Sequence, residues 1–250
     1  MGDDVRDYTF GTEFTASLYT TVYHQVLKQF DDHRFVRELH DRFMPEGTVF
    51  QKPLILDVGA GTGLLSMQLL QADKNRRLML LEPSPAMSTM STTEELITED
   101  MLSSASAQDL YDTEGEPFQD ESIDGVVTNN MIYLLSREEI RQLFAEIARV
   151  LKPGGRFSVS SMRNAPREKH EEFLEYAKQS VRQMEVEGTV PLGAAQILYG
   201  SNQNIIQQEP TMLSFEEVEA MAIEFGLQRI SDYETIYQGA GFFLAFEKPE

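Results

Sequence analysis

The chain has 250 residues, of which 41% are hydrophobic, and 21 lysines and arginines stand against 41 aspartates and glutamates. This length suits one large hydrophobic core, so we expect one catalytic-sized domain with elaborations. The net charge of -20 argues against a nucleic-acid partner and against an anionic membrane surface. The chain has no cysteine, which excludes disulfides and thiolate chemistry.

The start of the chain, MGDDVRDYTF, is acidic and polar. It lacks the basic residues and the apolar segment of a secretory signal. No apolar run approaches the roughly 18 residues that a membrane-spanning helix requires. The sequence therefore predicts a cytoplasmic protein with no membrane contact.

Helical periodicity comes first, over residues 12–44, and the segment MPEG closes it. Strand-like and helix-like segments then alternate. They are a strand at 53–58, a helix at 62–71, a strand at 76–82, a weaker helix at about 85–98, a short strand near 103–107 and a clear strand at 122–130.

Two capping boxes mark the later helices. Ser136 with Glu139 opens the first, and Pro153-Gly154-Gly155 ends it before a strand at 156–161. Ser214 with Glu217 opens a second helix at 215–225. Strands at about 228–237 and 241–247 follow, and their short connection is typical of an antiparallel hairpin.

This alternation predicts an α/β fold built from right-handed βαβ units. We expect a Rossmann-like, doubly wound, mostly parallel seven-stranded sheet with a C-terminal antiparallel hairpin. Residues 1–47 would form an N-terminal helical cap, and residues 48–162 with 214–250 the cofactor-binding core.

Residues 163–213 do not follow the alternation. They contain a charged amphipathic helix at about 167–186 and then a segment, GTVPLGAAQILYGSNQNIIQQEP, that has the composition of a loop. Ligands of open α/β sheets bind beyond the carboxyl ends of the strands, and this insertion leaves such an end. It is therefore a candidate lid over a substrate, the alternative being a surface loop without a function.

The segment LILDVGAGTGLLS, residues 54–66, carries the strongest functional signal. Glycines directly after a strand let the backbone turn tightly and approach a ligand. Gly59, Gly61 and Gly63 depart from the dinucleotide pattern G-x-G-x-x-G, because Leu64 stands at its last position. Asp57 would repel a pyrophosphate, so we expect a ligand with positive charge and a hydroxylated sugar.

Glu82 supplies the sugar contact in this interpretation. It ends the next strand, where a carboxylate can accept hydrogen bonds from both hydroxyls of a ribose.

With these motifs the chain resembles the class I S-adenosylmethionine-dependent methyltransferases that act on small molecules. LDVGAGTG at 56–63 matches the first motif of that family, and LLEPSPAM at 80–87 its ribose-binding strand end. EPFQDESIDGVVTNNMIYLL at 116–135 matches the fourth-strand motif, and EIARVLKPGGRFSVS at 146–160 the fifth. The resemblance covers 50–162 in detail and 214–247 in layout.

The resemblance implies S-adenosyl-L-methionine as cofactor and S-adenosyl-L-homocysteine as product. It implies that the glycine backbone lines the methionine and ribose parts, that Asp57 holds the amino-acid end, and that Glu82 binds the ribose. The implied cofactor-binding residues are Asp57, Gly59, Ala60, Gly61, Gly63, Glu82, Pro83, Met87, Ala107, Gln108, Asp109 and Asn129. Ser106 stands where the family often has an aspartate for the adenine amino group, which leaves Gln108 or Asp109 to replace it.

Two tyrosines are candidate catalytic residues. Tyr133 lies where related enzymes often place a histidine after the fourth strand, and it could orient an acceptor or simply pack. Tyr19, in ASLY, matches a family tyrosine that closes over the cofactor, although Thr20 replaces the usual aspartate. We expect His24 at the solvated surface, and no histidine spacing indicates a metal site.

The sequence thus predicts methyl transfer to the oxygen, nitrogen or carbon of a small acceptor. Three alternatives stay open: a cyclase or decarboxylase that binds the same cofactor, a non-enzymatic binding protein, and a protein methyltransferase. A homodimer is also possible.

Overall fold

The computed structural model describes residues 13–93, 96–107, 109–207 and 209–250. Within these residues the chain forms a single sheet. Its strands are β1 (Leu54–Val58), β2 (Arg77–Leu81), β3 (Leu102–Ser103), β4 (Ile123–Asn129), β5 (Leu151–Met162), β6 (Gln228–Arg229), β7 (Glu234–Ile236) and β8 (Gly241–Glu247).

Eight α-helices accompany the strands in the described part of the chain. They are α1 (Glu13–Gln29), α2 (Asp31–Phe43), α3 (Leu64–Ala72), α4 (Pro85–Ser91), α5 (Arg137–Val150), α6 (Arg167–Glu187), α7 (Ala194–Gln207) and α8 (Phe215–Glu224). No helix among the described residues is long and apolar enough to cross a membrane.

The sheet has the order β3-β2-β1-β4-β5-β8-β6. The pairs from β3 through β5 are parallel, whereas β8 runs antiparallel to β5. This confirms the predicted Rossmann-like, mostly parallel sheet with an antiparallel C-terminal hairpin. The carboxyl ends of β1, β2 and β4 lie side by side, where the glycine turn and Glu82 also lie.

Successive residues of β1 point to opposite faces of the sheet, and each face is covered by helices. Leu56 packs in the cluster that contains Leu143 of α5 and Val218 of α8. Its neighbour Ile55 packs with Leu69 of α3 on the other face. Both β1 side chains are fully buried, which explains why this strand is a continuous apolar run up to Asp57.

The edge strand predicted at 228–237 is divided into β6 and β7, which both pair with β8. Two successive amides, of Ile230 and Ser231, reach the carbonyl of Ala245, while the Ser231 hydroxyl accepts the Ala245 N–H over 2.9 Å. Between the pairs Arg229–Phe246 and Glu234–Phe243 the edge strand has two more residues than β8, so the ladder is interrupted as in a β-bulge. This interruption gives eight strands where the sequence predicted seven.

The two predicted capping boxes are confirmed. Ser136 accepts from the amide of Glu139, and Ser214 from the amide of Glu217, with both glutamates bonding back. The predicted helical region 12–44 is divided at Phe30, whose extended backbone separates α1 from α2 and whose side chain is buried.

The loop predicted after 186 is wrong over Ala194–Gln207, which forms α7. Gly188 and Gly193, both with left-handed φ, bound the connection between α6 and α7, but Gly200 lies inside the helix. Ala194 and Ala195 are buried against Val22 of α1 and Val181 of α6. This tertiary packing outweighs the low helix propensity of glycine.

Candidate functional site

The turn after β1 is held against the end of β2. The amides of Gly59 and Ala60 both donate to the carbonyl of Leu81, over 2.8 and 3.2 Å. Gly59, Gly61 and Gly63 have φ values of 73°, 57° and 75°, which L side chains rarely adopt. The backbone conformation therefore favours glycine at all three positions.

The space around the three glycines differs. A Cβ on Gly59 would lie 2.4 Å from Met131, and one on Gly63 would lie 2.6 Å from Ile97. At Gly61 a Cβ would meet no atom within 4 Å. Gly59 and Gly63 thus serve the packing of the protein, and Gly61 is the position of the turn where a ligand can approach the backbone.

Glu82 is hydrogen-bonded to the glycine turn at Gly61. Its Oε2 accepts the Gly61 N–H over 2.8 Å, and its Oε1 accepts the Ser84 N–H over 2.8 Å. Burial raises the pKa of the carboxyl, while these two amides oppose the shift. A carboxylate has about four acceptor sites, so two remain for the two hydroxyls of a ribose.

Asp57 lies at the base of the turn and is 1% exposed. Its Oδ2 accepts from the Ser66 hydroxyl over 2.7 Å. Burial raises the pKa of Asp57 to about 7, and the charge of Glu82 contributes in the same direction. A cationic ligand beside Asp57 would compensate both effects, which agrees with the positive charge expected of the ligand.

The other predicted cofactor residues surround the ends of β2 and β3. Ala60, Met87 and Ala107 are half-buried, whereas Pro83 and Asp109 are exposed. Gln108 lies outside the described residues. The roles of these residues at an adenine ring stay predictions.

Asn129, at the end of β4, belongs to a chain of hydrogen bonds through the core. Its Oδ1 accepts from the Ser160 hydroxyl over 2.8 Å. His40 lies between Ser160 and Ser158, with ring nitrogens 2.9 and 2.7 Å from the two hydroxyl oxygens. Burial lowers the pKa of His40 to about 3, so its ring is neutral. This series of hydrogen bonds holds the oxygen of Asn129 in one orientation.

The two candidate catalytic tyrosines belong to one tyrosine cluster. Tyr19 is 6% exposed, and its ring stacks on Tyr23 with 5.5 Å between centroids. Burial raises the pKa of Tyr19, and the charge of Tyr133 contributes in the same direction. Burial also raises the pKa of Tyr23, with contributions from Tyr19 and Glu82. Tyr19 thus interacts electrostatically with Tyr133, and Tyr23 with Glu82.

Beyond Tyr133 the structure contains a cavity of about 670 Å³. We call it the α6–α7 cavity, because both helices of the 163–213 insertion line it. Its other walls come from α1, α2, the ends of β4 and β5, and the turn between β7 and β8. The lining residues include Tyr23, Phe30, His33, Asn130, Tyr133, Met162, Phe173, Leu174, Ala177, Val181, Leu198, Tyr199, Met212 and Tyr237.

The sequence reasoning missed His33 and Tyr237, which face this cavity. The expectation that His24 lies at the solvated surface is wrong, because His24 is 6% exposed. The helical stripe on α1 was visible in the sequence, but the neighbours of α1 were not. One available signal for Tyr237 was its position beside the glycine-containing connection to the last strand.

A comparison with protein-family models matches residues 55–155 to a family described as a methyltransferase domain. The matched residues contain the glycine turn, Glu82 and Asn129. The part of the chain that carries the glycine turn is thus similar to a methyltransferase domain over about two fifths of the chain's length.

Among curated proteins, this chain is similar to the biotin biosynthesis bifunctional protein BioHC of Cellvibrio japonicus (strain Ueda107). The two are 31% identical over 108 residues, which is 43% of this chain and 19% of that protein. The match thus spans about a fifth of the relative's length.

Two solved structures share the fold. One is a chain of the complex between the Haloferax volcanii Trm112 methyltransferase activator and its candidate methyltransferase, with a TM-score of 0.60 and 18% identity over 94% of this chain and 98% of that one. The other is the geranyl diphosphate C-methyltransferase of Streptomyces coelicolor A3(2), solved with Mg²⁺, geranyl diphosphate and S-adenosyl-L-homocysteine. Its TM-score is 0.59, with 12% identity over 86% of this chain and 79% of that one.

Proposed function

We propose that this protein transfers the methyl group of S-adenosyl-L-methionine to a small organic acceptor bound in the α6–α7 cavity. The observation that carries the proposal is Gly61. It is the glycine of the turn that faces open space, and its amide is bonded to the carboxylate of Glu82, which keeps two acceptor sites free.

The residues of the turn suit this cofactor in charge and in shape. Glu82 would hold the ribose, and Asp57 would lie near the cationic part. Bound S-adenosyl-L-methionine would supply a methyl group on a positively charged sulfur, with the bonding electron pair left on sulfur after transfer.

The protein contributes chiefly by positioning the acceptor and by excluding water. Well-oriented reactants can gain roughly 7–11 kcal/mol from positioning alone. Tyr19 is buried and stacks on the half-buried Tyr23, where the two rings would exclude water. Tyr133 lines the cavity and could orient the acceptor.

The size of the cavity and its mostly apolar lining support a small-molecule acceptor, since pockets of about 300–1,000 Å³ are typical of such ligands. The net charge of -20 disfavours nucleic acid. The geranyl diphosphate methyltransferase shows that a small acceptor occurs on this fold, without identifying the acceptor here. The homodimer and the cytoplasmic location stay predictions.

The test is formation of S-adenosyl-L-homocysteine when the protein is incubated with S-adenosyl-L-methionine and a panel of small acceptors. Product formation that depends on the acceptor and on Glu82 would support methyl transfer. Conversion of an acceptor without S-adenosyl-L-homocysteine would favour the cyclase or decarboxylase alternative. Absence of cofactor binding in calorimetry would contradict the proposal altogether.

A further inference from the structure

The α6–α7 cavity has a polar end made by residues far apart in the sequence. Asn130 follows the last residue of β4, His33 lies on α2, and Tyr237 begins the turn between β7 and β8. Asn130 donates from Nδ2 to the Tyr237 hydroxyl, and that hydroxyl lies 3.2 Å from His33 Nδ1. All three residues line the cavity.

The backbone around this polar end is unusual. Asn130 has φ of 55°, and the successive residues Tyr237 and Gln238 have φ of 51° and 55°. Asparagine tolerates this left-handed region, but tyrosine and glutamine rarely adopt it. Residues held in such conformations cluster at functional sites, because the surrounding structure must favour their placement.

The protonation states of the three groups decide which of them donates and which accepts each hydrogen bond. Burial lowers the pKa of His33 to about 3, so its ring is neutral and can accept a hydrogen bond at Nδ1. Tyr237 has one hydroxyl proton and donates it to His33, which leaves the hydroxyl oxygen to accept from Asn130 Nδ2. These bonds fix the amide of Asn130 with Nδ2 toward the Tyr237 hydroxyl and with Oδ1 directed away from it.

Asn130 Oδ1 is buried and has no hydrogen-bond partner among the described residues. A buried polar atom without a partner is costly, and each one in a folded protein requires an explanation. Since the residue lines a cavity large enough for a ligand, a hydrogen-bond donor on that ligand would satisfy the oxygen.

The polar end is also uncharged at neutral pH. His33 is neutral, and burial raises the pKa of Tyr237 above its ordinary value. The charged residues that line the cavity come from α6, where Arg167 pairs with Glu171 over 2.6 Å and Lys178 lies over the ring of Tyr199. A charged ligand group at Asn130 would therefore lose its hydration without finding an opposite charge on Asn130, His33 or Tyr237.

We propose that Asn130, fixed by Tyr237 and His33, selects a neutral and mostly apolar acceptor through a hydroxyl or N–H group that donates to Asn130 Oδ1. The inference rests on the proposed function, since it concerns the acceptor of the same reaction. Asn130 directly follows Asn129 at the carboxyl end of β4, so the anchored group would lie at the edge of the sheet that carries the glycine turn.

Three bicyclic probes of similar size separate the possible ligand properties. 1-Naphthol can donate a hydrogen bond, 1-methoxynaphthalene can only accept one, and 1-naphthoate is charged. Their affinities are measured by calorimetry on the full chain saturated with S-adenosyl-L-homocysteine. We expect 1-naphthol to bind about three- to tenfold more tightly than 1-methoxynaphthalene, the range of one neutral hydrogen bond, and 1-naphthoate to bind most weakly.

Two variants test the residues. Asn130→Gly removes the amide while glycine keeps the left-handed backbone, so the preference for 1-naphthol should disappear. Tyr237→Phe frees the amide to rotate and to offer Nδ2, so the affinity for 1-methoxynaphthalene should rise relative to 1-naphthol. Glu121→Gly is the matched control, since Glu121 also has a left-handed φ of 53° but is exposed and remote from the cavity.

Equal wild-type affinities for 1-naphthol and 1-methoxynaphthalene, or no binding of any probe, would overturn the inference. A preference for 1-naphthol that survives in Asn130→Gly would do the same. Failure of the proposed function is recognised separately, because it is judged by cofactor binding and by the formation of S-adenosyl-L-homocysteine, and not by the preference among the three probes.

Discussion

Gly61 donates its backbone N–H to Glu82 Oε2 over 2.8 Å, which connects the turn after β1 directly to the end of β2. The bond fixes the carboxylate beside the open space at Gly61 before any ligand is present. Pre-oriented groups of this kind reduce the entropy lost when a ligand binds. The relationship gives the first two predictions.

Replacement of Glu82 by alanine should weaken binding of S-adenosyl-L-methionine by about 1.5–3 kcal/mol, the range for hydrogen bonds to a charged group. The physical reason is that two ribose hydroxyls lose their acceptor. Titration calorimetry measures the effect, and Glu99→Ala, which removes an exposed acid beyond α4, is the control. Wild-type affinity in Glu82→Ala would show that the ribose binds elsewhere.

The variant Gly61→Val should abolish cofactor binding and leave the fold intact, because the added side chain enters space free of protein atoms. Binding is followed by calorimetry and folding by circular dichroism. Gly154→Val controls for backbone strain, since Gly154 also has a left-handed φ, of 74°, and open space around it. Normal binding by Gly61→Val would refute a close approach of the ligand to this backbone.

Asp57 should make the unbound protein less stable as the pH rises from about 4 to about 7. Its pKa is about 7 in the folded protein and 3.8 ordinarily, so the folded state binds more protons between these values. The contribution of the protonated Asp57 carboxyl to the free energy of unfolding is fully present below pH 3.8. It is lost as the pH rises through about 7.

The variant compared with the wild type is Asp57→Asn. Its side chain keeps an oxygen for the Ser66 hydroxyl but cannot ionise. Urea unfolding at pH 5 and pH 8 should show that the variant gains stability relative to the wild type at the higher pH. A difference between the two proteins that does not change with pH would mean that Asp57 titrates normally.

The 163–213 insertion is predicted to cover the acceptor. Tyr199→Ala should change acceptor turnover while the affinity for S-adenosyl-L-methionine changes little, because Tyr199 lines the cavity from α7. The Nζ of Lys178 lies 4.8 Å from the centroid of the Tyr199 ring. Tyr233→Ala is a matched control, because Tyr233 is 42% exposed and Tyr199 is 40% exposed. A cationic side chain, that of Arg229, also lies over the Tyr233 ring.

Hydrogen exchange gives an independent measurement of the covering role. Exchange in 186–212 should slow when S-adenosyl-L-homocysteine and the acceptor are bound together. Unchanged exchange, combined with lower stability of Tyr199→Ala, would indicate that the insertion only packs on the core. Ile205 and the N-terminal residues around Tyr8, which belong to the same hypothesis, lie outside the described side chains.

The sequence determined those features that depend on neighbours in the chain. A glycine turn, a helix cap and a strand end are formed by residues a few positions apart, so Gly61, Ser136 and Ser214 could be interpreted without a structure. Asp57 and Glu82 could be paired because adjacent parallel strands end at the same edge of a sheet. These local rules were sufficient for the α/β alternation, the mostly parallel sheet and the existence of the glycine turn, but not for the division of the edge strand into β6 and β7.

Only the tertiary structure decided the acceptor side. The bond between Asn130 and Tyr237 joins residues 107 positions apart, and that between Tyr237 and His33 joins residues 204 positions apart. No periodicity or motif encodes such distances, since they depend on how α1, α2 and the insertion pack on the sheet. The same packing buried His24 and made α7 a helix despite Gly200, because burial against neighbouring helices outweighs local propensity.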